Sequence, residues 1–491
     1  MKITNYPSKT RLASGGKLKI EKLTVLTFIF IFAVSFLLFY PSLNYYFFQD
    51  DWFVLNWART NDLLSFFEFR TDVIYWRPIS MPLFFWINRN IFALEPFGYH
   101  GVTFLFHILS ALLSGYIIFL IFRSKVASIL TTFFYATASF HFMSLSWLSL
   151  SWNAIGNFFT LIAIYFYLTQ EKNKNIFLVI SLIFFLVALA STEFALVFPL
   201  LIIFVELFRT NFSLLRALKR GMILISISSL IAIVYLFIRF LLFPIPSNEE
   251  YAIVIDGRVF NNYFWYLAWL INLPEVLKYQ IQLTNLSAPK DPTFLEPFRA
   301  YSYPLLTSSF IFALALSALF INSSVIRKMK VLIATFIFIA LALSPVIFLP
   351  SHSFPYYLTM ASIGFLVFIG YILSNIFKKS TSKINLLLTI LLIISWITAS
   401  FFNLAFTRKT HWIPAEENIS RQIVNKSKTK FPNVPENTIL VIYPASEQDK
   451  QALMDQEAMN VIYDKTIFSF FSESTPNNLP VNGFPLNLED E

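Results

Sequence analysis

Residues 23–40, LTVLTFIFIFAVSFLLFY, form the first long apolar run of the chain. As an α-helix this run is long enough to cross the bilayer core, which is about 30 Å thick. Glu21 is the only acidic residue before the run, and the basic residues there are Lys2, Lys9, Arg11, Lys17, Lys19 and Lys22. The positive-inside rule therefore predicts a cytoplasmic N-terminus and places the residues after the run on the outer side. The run is too long for a cleaved signal peptide, and no small-residue cleavage site follows it.

The composition of the chain is that of a polytopic membrane protein. Of its 491 residues, 57% are hydrophobic and 13% are charged, with a mean hydropathy of +0.64, whereas soluble domains are about 25% charged. The net charge is +9, but the distribution of this charge follows the membrane segments, so it does not indicate a nucleic acid partner. The absence of cysteine excludes disulfide bonds and thiolate metal sites.

Apolar segments predict an all-α polytopic fold with about eleven transmembrane helices. The predicted helices are 23–41, 99–122, 126–145, 153–169, 176–191, 194–208, 221–243, 303–321, 331–349, 356–377 and 384–404. The pair 176–191 and 194–208 is short enough to be a re-entrant hairpin instead. The short loops on the predicted cytoplasmic side carry an excess of Lys and Arg. An odd number of crossings from a cytoplasmic N-terminus places the C-terminus outside the cytoplasm.

Three segments on the predicted outer side are too long to be simple turns: 42–98, 244–302 and 406–491. In the first, residues 63–67 and 81–91 are apolar but too short to span, which predicts interfacial helices. In the last, residues 438–443 have the pattern of a β-strand and 447–463 that of a helix. We therefore expect a transmembrane domain at 1–405 and a small extracytoplasmic α/β appendage at 406–491.

Gln49-Asp50-Asp51-Trp52 follows the first apolar run on its outer side. Two adjacent carboxylates repel each other, which raises one pKa and makes that group a candidate proton acceptor near neutral pH. Asp50 and Asp51 are therefore the candidate catalytic residues. If the reaction uses a divalent cation such as Mg²⁺ or Mn²⁺, we expect it at this pair. The alternative interpretation is a solvated acid pair that only helps to orient the chain.

Two arginines and a glutamate lie at the same membrane level as the acid pair. Arg77, in Tyr75-Trp76-Arg77-Pro78, offers a planar fork suited to phosphate. Arg239 and Glu193 lie near outer helix ends. Because charges in membrane segments usually face an internal cavity or snorkel to the surface, Arg239 and Glu193 are candidates to line a shared cavity.

Three histidines lie towards the outer side. His100 and His107 are two turns apart on one face of the helix predicted at 99–122. Their spacing of about 10 Å along the helix axis is too great for one metal ion. His141 falls in the outer loop before the helix predicted at 153–169. Single histidines of this kind are as compatible with structural as with functional roles.

The order of these elements resembles the C-type (GT-C) polytopic membrane glycosyltransferases, especially their protein O-mannosyltransferase-like branch. The motifs that carry the resemblance are Asp50-Asp51, Trp76-Arg77-Pro78-Ile79-Ser80, Phe97-Gly98-Tyr99-His100 with His107, Ser191-Thr192-Glu193, Arg239 and Tyr356-Tyr357. The resemblance spans residues 20–405 and is most specific over 45–110. The chain departs from the family pattern at Thr103, where Asn is common, and at Met143, where an acidic residue is common.

The resemblance implies transfer of a sugar of hexosyl or mannosyl type from a polyprenyl-phosphate carrier to a protein, lipid or glycan acceptor outside the cytoplasm. Asp50 would be the general base, with Asp51 sharing that role or binding a cation, and Arg77 and Arg239 would bind the carrier phosphate. A single in-line displacement would invert the anomeric centre. The expected cavity residues are Tyr75, Trp76, His100, His107, His141, Glu193, Tyr356 and Tyr357. Frequent Lys, Asn, Ile and Phe suit an AT-rich bacterial genome, so the expected location is a bacterial inner membrane.

Other classes remain open at the level of the sequence. A transporter or flippase of lipid-linked glycans is expected to show inverted repeats and broken helices near the midplane, and neither is evident. An O-antigen-ligase-like enzyme would be expected to rely on basic and histidine residues in a late outer loop, but 244–302 contains no histidine. An inactive membrane scaffold would keep the fold without the chemistry.

Overall fold

The computed structural model describes residues 14–70, 73–170, 174–243, 249–284, 290–291, 293–323, 328–378, 382–476, 480 and 483–489. The α-helices of these residues are α1 (Ser14–Phe39), α2 (Asp50–Thr60), α3 (Phe84–Phe92), α4 (Pro96–Phe122), α5 (Lys125–Ala136), α6 (Phe142–Ser146), α7 (Trp152–Thr169), α8 (Lys174–Leu189), α9 (Phe198–Arg209), α10 (Leu214–Leu242), α11 (Gly257–Leu270), α12 (Arg299–Asn322), α13 (Lys328–Ala342), α14 (Ser344–Ile347), α15 (Leu358–Phe377), α16 (Lys383–Thr410), α17 (Ile413–Lys430), α18 (Glu447–Ala452) and α19 (Glu457–Tyr463). The strands are β1 (Thr438–Tyr443), β2 (Ile467–Phe471) and β3 (Gly483–Asn487).

The apolar helices confirm the predicted class, a largely helical multi-pass membrane protein. In the described residues, seven segments are long and apolar enough to cross a membrane: Thr24–Asn44, Pro96–Phe122, Leu148–Thr169, Leu214–Leu242, Glu296–Asn322, Pro355–Phe377 and Lys383–Thr410. The helices at Lys125–Ala136 and Ser139–Ser146 meet at a 44° bend and make an eighth if they form one span. Every predicted helix has a helical counterpart, but α8, α9 and α13 are shorter than the roughly 20 residues that a simple crossing needs. The N-terminal Lys2, Lys9 and Arg11 lie outside the described residues.

Local signals in the sequence explain the tight turn that joins α4 to α5. Pro96 begins α4 at a position where the missing N–H costs nothing. The helix ends at Arg123, which adopts a left-handed conformation with φ 56° and donates its N–H to the Phe119 carbonyl. Ser124 then caps α5 by accepting a hydrogen bond from the Ala127 N–H. The two helices therefore pack against each other as neighbours.

Burial separates central helices from peripheral ones. In the spans that contain α7 and α15, 78% and 83% of the residues are buried, against 22% in those of α1 and α10. The exposed side chains of α10 are large and apolar, as expected for a surface that faces lipid.

The first long outer segment contains three helical pieces. α2 begins at Asp50 itself, so the acid pair forms the first turn of a helix that the sequence did not predict. Residues Ile79–Leu83 form a π-helical turn that leads into α3, which overlaps the predicted interfacial helix at 81–91 except for its last residue. The other predicted interfacial helix is only a short 3₁₀ turn, Ser65–Phe67.

The C-terminal residues form the predicted small α/β unit. β1 lies in the centre of a three-stranded, wholly parallel sheet with the order β2-β1-β3, and Leu440 pairs with Ser469 and Phe484. β1 has the predicted bounds, whereas the helix predicted at 447–463 is divided into α18 and α19. α19 packs against α2, so the C-terminal unit and the first outer segment lie on the same side of the protein.

Candidate active site

Asp51 is held by the residues around it. It is fully buried, and its Oδ1 accepts hydrogen bonds of 2.7 Å from both the N–H and the hydroxyl of Ser149. Its Oδ2 accepts a 3.3 Å hydrogen bond from the Phe48 N–H. Burial raises the pKa of Asp51 to about 8, although the Ser149 hydrogen bonds oppose the shift. These contacts fix the start of α2 against the stretch before α7.

Asp50 differs from its neighbour in having a carboxylate that accepts no hydrogen bond from the described residues. Its side chain is partly exposed, at the N-terminal end of α2. Burial raises the pKa of Asp50, and the positive charge of Arg77 acts in the opposite direction. A carboxylate with a raised pKa and unused acceptor capacity is suited to take a proton from a ligand.

Arg77 is held in one orientation by three side chains. Its Nε donates a 2.8 Å hydrogen bond to Glu193, and its Nη2 donates to the other carboxylate oxygen of Glu193. The guanidinium carbon lies 3.9 Å from the ring centroid of Trp152 and 4.6 Å from that of Tyr75. Of the five N–H donors of the guanidinium, the two on Nη1 and one on Nη2 lie away from the Glu193 pairing.

The pairing with Arg77 controls the charge of Glu193. Burial by itself would raise the pKa of Glu193, but the adjacent Arg77, with Arg239 further off, lowers it below the usual value. The same pairing outweighs burial at Arg77 and raises its pKa. Both groups therefore stay ionised at neutral pH, and Glu193 neutralises one positive charge of the site.

Arg239 lies in the last turn of α10, close enough to Glu193 and Arg77 for their charges to act on one another. Its guanidinium carbon is 5.2 Å from the ring centroid of Phe243. Trp76 packs nearby, 6.4 Å from Tyr235 of α10 between ring centroids. The structure thus brings the two predicted phosphate-binding arginines into one electrostatic cluster at the C-terminal end of α10.

Tyrosines surround this charged cluster. Burial raises the pKa of Tyr75, and the Asp50 carboxylate acts in the same direction. Tyr357 stacks on Phe194, the residue after Glu193, at a centroid distance of 5.2 Å. Tyr356 lies 6.0 Å from Trp152, the ring beneath Arg77. Tyr75, Tyr356 and Tyr357 therefore lie beside Arg77 and Glu193, although widely separated in the sequence.

The three histidines are placed differently. The exposed fractions of His100, His107 and His141 are 1%, 1% and 2%. The ring nitrogens of His100 lie 3.0 Å from the Leu145 carbonyl oxygen and 3.2 Å from that of Tyr45, and Nε2 of His107 lies 3.1 Å from the Ala136 carbonyl oxygen. The rings of His107 and His141 pack together at 4.5 Å. All three rings are enclosed in this structure, and their place in a substrate cavity stays a prediction.

The second outer segment contributes residues that the sequence analysis did not single out. Tyr251 lies near Asp50 and Arg77, whose charges act on it, and its ring is 4.2 Å from that of His352. Lys278 donates a 2.7 Å hydrogen bond to the Pro350 carbonyl and another to the Ser353 hydroxyl. Burial lowers the pKa of Lys278 to about 8. No spacing pattern links these residues to the acid pair, so only the fold could identify them.

The predicted cation position at Asp50 and Asp51 does not have the properties of a Mg²⁺ or Mn²⁺ site. Both oxygens of Asp51 accept hydrogen bonds from protein donors, and the positive charge of Arg77 acts on Asp50. In the described residues, no group of three or more His, Asp or Glu side chains could hold a metal ion. Hard cations need several oxygen ligands, which this pair does not supply.

No protein-family model and no curated protein matches the chain. Among solved structures, the chain is similar to the oligosaccharyltransferase of Archaeoglobus fulgidus in the apo form, with a TM-score of 0.47 and 13% identity over 91% of this chain and 64% of that one. It is also similar to ArnT from Cupriavidus metallidurans bound to undecaprenyl phosphate, with a TM-score of 0.42 and 12% identity over 93% of this chain and 90% of that one. The chain thus spans less than two thirds of the length of the oligosaccharyltransferase. At these identities and TM-scores the likeness assigns neither a residue's role nor a substrate.

Proposed function

We propose that this chain is a glycosyltransferase that moves a sugar from a polyprenyl-phosphate carrier to an acceptor hydroxyl on the outer face of the membrane. The observation that carries the proposal is the cluster of Asp50, Arg77 and Glu193 next to Arg239. A carboxylate with spare acceptor capacity lies beside an arginine whose orientation is fixed and whose second edge is turned away from its counter-ion.

The donor phosphate is proposed to bind to the free edge of Arg77. Glu193 occupies Nε and one hydrogen of Nη2, so Nη1 and the second Nη2 hydrogen can still form a bidentate pair with two phosphate oxygens. Arg239 supplies a second positive charge at the end of α10. Since α10 faces lipid, the polyprenyl chain would stay in the bilayer while its headgroup reaches the cluster.

The proposed reaction is a single displacement at the anomeric carbon. Asp50 accepts the proton of the acceptor hydroxyl, and the hydroxyl oxygen forms the new glycosidic bond. The bond between the anomeric carbon and the phosphate oxygen breaks, and its electron pair leaves with polyprenyl phosphate. Arg77 and Arg239 stabilise the negative charge that develops on this phosphate. Attack from the side opposite the leaving group inverts the anomeric configuration.

The proposal extends to a hexosyl or mannosyl-type sugar, to a protein, lipid or glycan acceptor, and to a bacterial inner membrane with the C-terminus outside the cytoplasm. Residues 1–405 would hold the donor within the membrane domain, and 406–491 would form the extracytoplasmic region. The proposed chemistry is assigned to Asp50, Arg77 and Arg239.

The proposal is tested with purified protein in nanodiscs and polyprenyl-phosphate hexoses, among them the mannose derivative, by measuring transfer to a mixture of peptide, glycan and lipid acceptors. Asp50→Asn is expected to lower turnover about 10²- to 10⁴-fold, the usual range for a lost acid–base group. Asp62→Asn is the matched control, because Asp62 is exposed in the same outer segment and its contacts are local. Transfer by Asp50→Asn at the rate of the Asp62→Asn control would refute the assignment. Movement of intact donor across the bilayer without transfer would instead indicate a flippase.

A further inference from the structure

One face of α2 contacts the C-terminal unit. Gln49, Trp52, Asn56 and Arg59 follow each other at intervals of three or four residues, so they lie on one side of the helix. The Trp52 Nε1 donates a 2.9 Å hydrogen bond to the Ser420 hydroxyl in α17. At the other end of this face, which we call the α2 stripe, Arg59 forms an ion pair with Asp464 at 3.5 Å.

The middle and the start of this stripe make further contacts with the same unit. The Asn56 amide donates a 2.5 Å hydrogen bond to Glu457 at the start of α19. The Gln49 N–H donates a 2.9 Å hydrogen bond to the Ala452 carbonyl at the end of α18. The Glu416 carboxylate also lies close to the Gln49 side chain. Every turn of α2 is therefore attached to the C-terminal unit.

Gln49, the residue immediately before Asp50, has a strained backbone. Its φ is 48° and its ψ is −129°, a conformation that residues other than glycine rarely adopt. Such strain persists only when the surroundings hold it in place. The surroundings here are the Ala452 carbonyl and the Glu416 side chain, both from the C-terminal unit.

The stretch that leads into α2 is held in the same way. The Tyr46 N–H donates a 3.1 Å hydrogen bond to Glu417, and the Phe48 ring lies 6.1 Å from that of Trp412. α2 has only 11 residues, too few to be stable by itself. On its other side, Asp51 is bonded to Ser149. The position of Asp50 thus depends on two clamps, one from the membrane domain and one from the C-terminal unit.

We propose that the C-terminal unit, which extends from α17 to β3, is a brace that positions Asp50 against Arg77, with Ser420 and Glu457 as positioning residues. The inference rests on the proposed function for the role of Asp50, but the attachment of α2 can be measured without any transfer. It explains why α17 and α19 contact the short helix that carries the acid pair. Loosening the brace should change the chemical step more than the binding of the donor.

The test uses the full chain with Ser420→Ala and Glu457→Ala combined, which removes two side-chain contacts to α2. The matched control combines Ser427→Ala and Glu447→Ala. Ser427 lies in the same helix and bonds to Tyr463 within the unit, and Glu447 is an exposed residue in the first turn of α18. The brace variant is expected to lower kcat about 10- to 100-fold, the scale of a misplaced catalytic group, with the KM for donor nearly unchanged. The control should retain parent-like kcat.

Hydrogen exchange of backbone amides separates this inference from the proposed function. In the brace variant, exchange should rise in α2 and stay unchanged in α3, while the control variant leaves both unchanged. Parent-like exchange in α2 would overturn the brace, whether or not the protein transfers sugar. Faster exchange in α2 with parent-like kcat would overturn the positioning role. If exchange in α2 rises in the brace variant while Asp50→Asn stays fully active, the brace is supported and Asp50 is refuted as the base.

Discussion

The two edges of Arg77 explain how a single residue can be both locked and available. Glu193 occupies one edge through a bidentate pair, and the rings of Trp152 and Tyr75 lie close to the guanidinium. A lysine cannot reproduce this arrangement, because an ammonium has neither a second edge nor a planar face. Glu193 is thus a positioning partner of Arg77.

At the residue scale, Arg77→Ala should weaken binding of polyprenyl-phosphate sugar by roughly 10- to 150-fold, the equivalent of about 1.5–3 kcal/mol for a charge-assisted contact. Arg77→Lys should restore only part of this affinity, because an ammonium keeps the charge but loses the bidentate fork. Glu193→Gln should weaken donor binding less, since its amide oxygen still accepts one of the two Arg77 hydrogen bonds. The measurement is equilibrium binding of the donor lipid in nanodiscs. Arg258→Lys is the control, because Arg258 is exposed and pairs only with Asp256. Parent-like donor affinity in Arg77→Ala would place the phosphate elsewhere.

The pH dependence of transfer follows from the same pair. Asp50 acts as a base only when ionised, and burial raises its pKa above the usual value. The rate should therefore fall as the pH drops through this raised pKa. Because Arg77 lowers the pKa of Asp50, Arg77→Gln should move the acidic limb of the kcat/KM profile to higher pH. An acidic limb at the same pH in Arg77→Gln and Arg258→Gln would show that the titrating group is not Asp50.

At the scale of elements, the contact between α7 and the turn before α9 sets the geometry of the arginine site. α7 begins with Trp152, the ring next to Arg77, and carries Gly156 one turn later. A Cβ atom at Gly156 would overlap the buried Thr192 side chain, which itself caps the turn by accepting the Phe194 N–H. The close approach that glycine permits therefore keeps Glu193 within reach of Arg77.

Gly156→Ala is expected to destabilise the protein by about 1–3 kcal/mol, because an extra methyl group in a packed contact forces the two elements apart. It should also weaken donor binding, since Glu193 moves with Thr192. Gly101→Ala in α4 is the control, because nothing lies within 4 Å of a Cβ there. Thermal unfolding in detergent and donor binding would be compared for both variants. Equal stability of the two variants would show that the contact relaxes freely.

At the scale of the whole molecule, the packing of the C-terminal unit on α2 ties the two ends of the topology together. The hydrogen bond from Trp52 to Ser420 joins residues that are 368 positions apart. Both must therefore lie on one side of the membrane, whatever the number of crossings between them. The charge pattern predicts that this side is the outer one.

Reporter fusions should read cytoplasmic after Lys125, Arg220 and Lys330, and external after Asn61 and at residue 420. The physical reason is the excess of basic residues in the short loops that are predicted to stay inside. Opposite readings from the fusion after Asn61 and the fusion at residue 420 would contradict the packing of α17 on α2. A cytoplasmic reading at both would move Asp50 away from a donor in the outer leaflet.

The sequence by itself determined those features that depend on neighbouring residues. Apolar runs about 20 residues long identify the membrane helices, because only such lengths cross the bilayer. The short run of apolar and β-branched residues at Thr438–Tyr443 was enough to predict β1 with its correct bounds. The acid pair and Arg77 were also recognisable, since their charges are unusual next to apolar segments.

Only the tertiary structure decided which distant residues meet. Arg77 pairs with Glu193 across 116 positions, Asp51 with Ser149 across 98, and Trp52 with Ser420 across 368. It also enclosed His100, His107 and His141 in the core, although their positions in the sequence suggested a cavity. Periodicity along one chain defines the faces of a helix, whereas the contacts of each face depend on how all helices pack together. The site is therefore a product of packing, even though most of its residues could be named in advance.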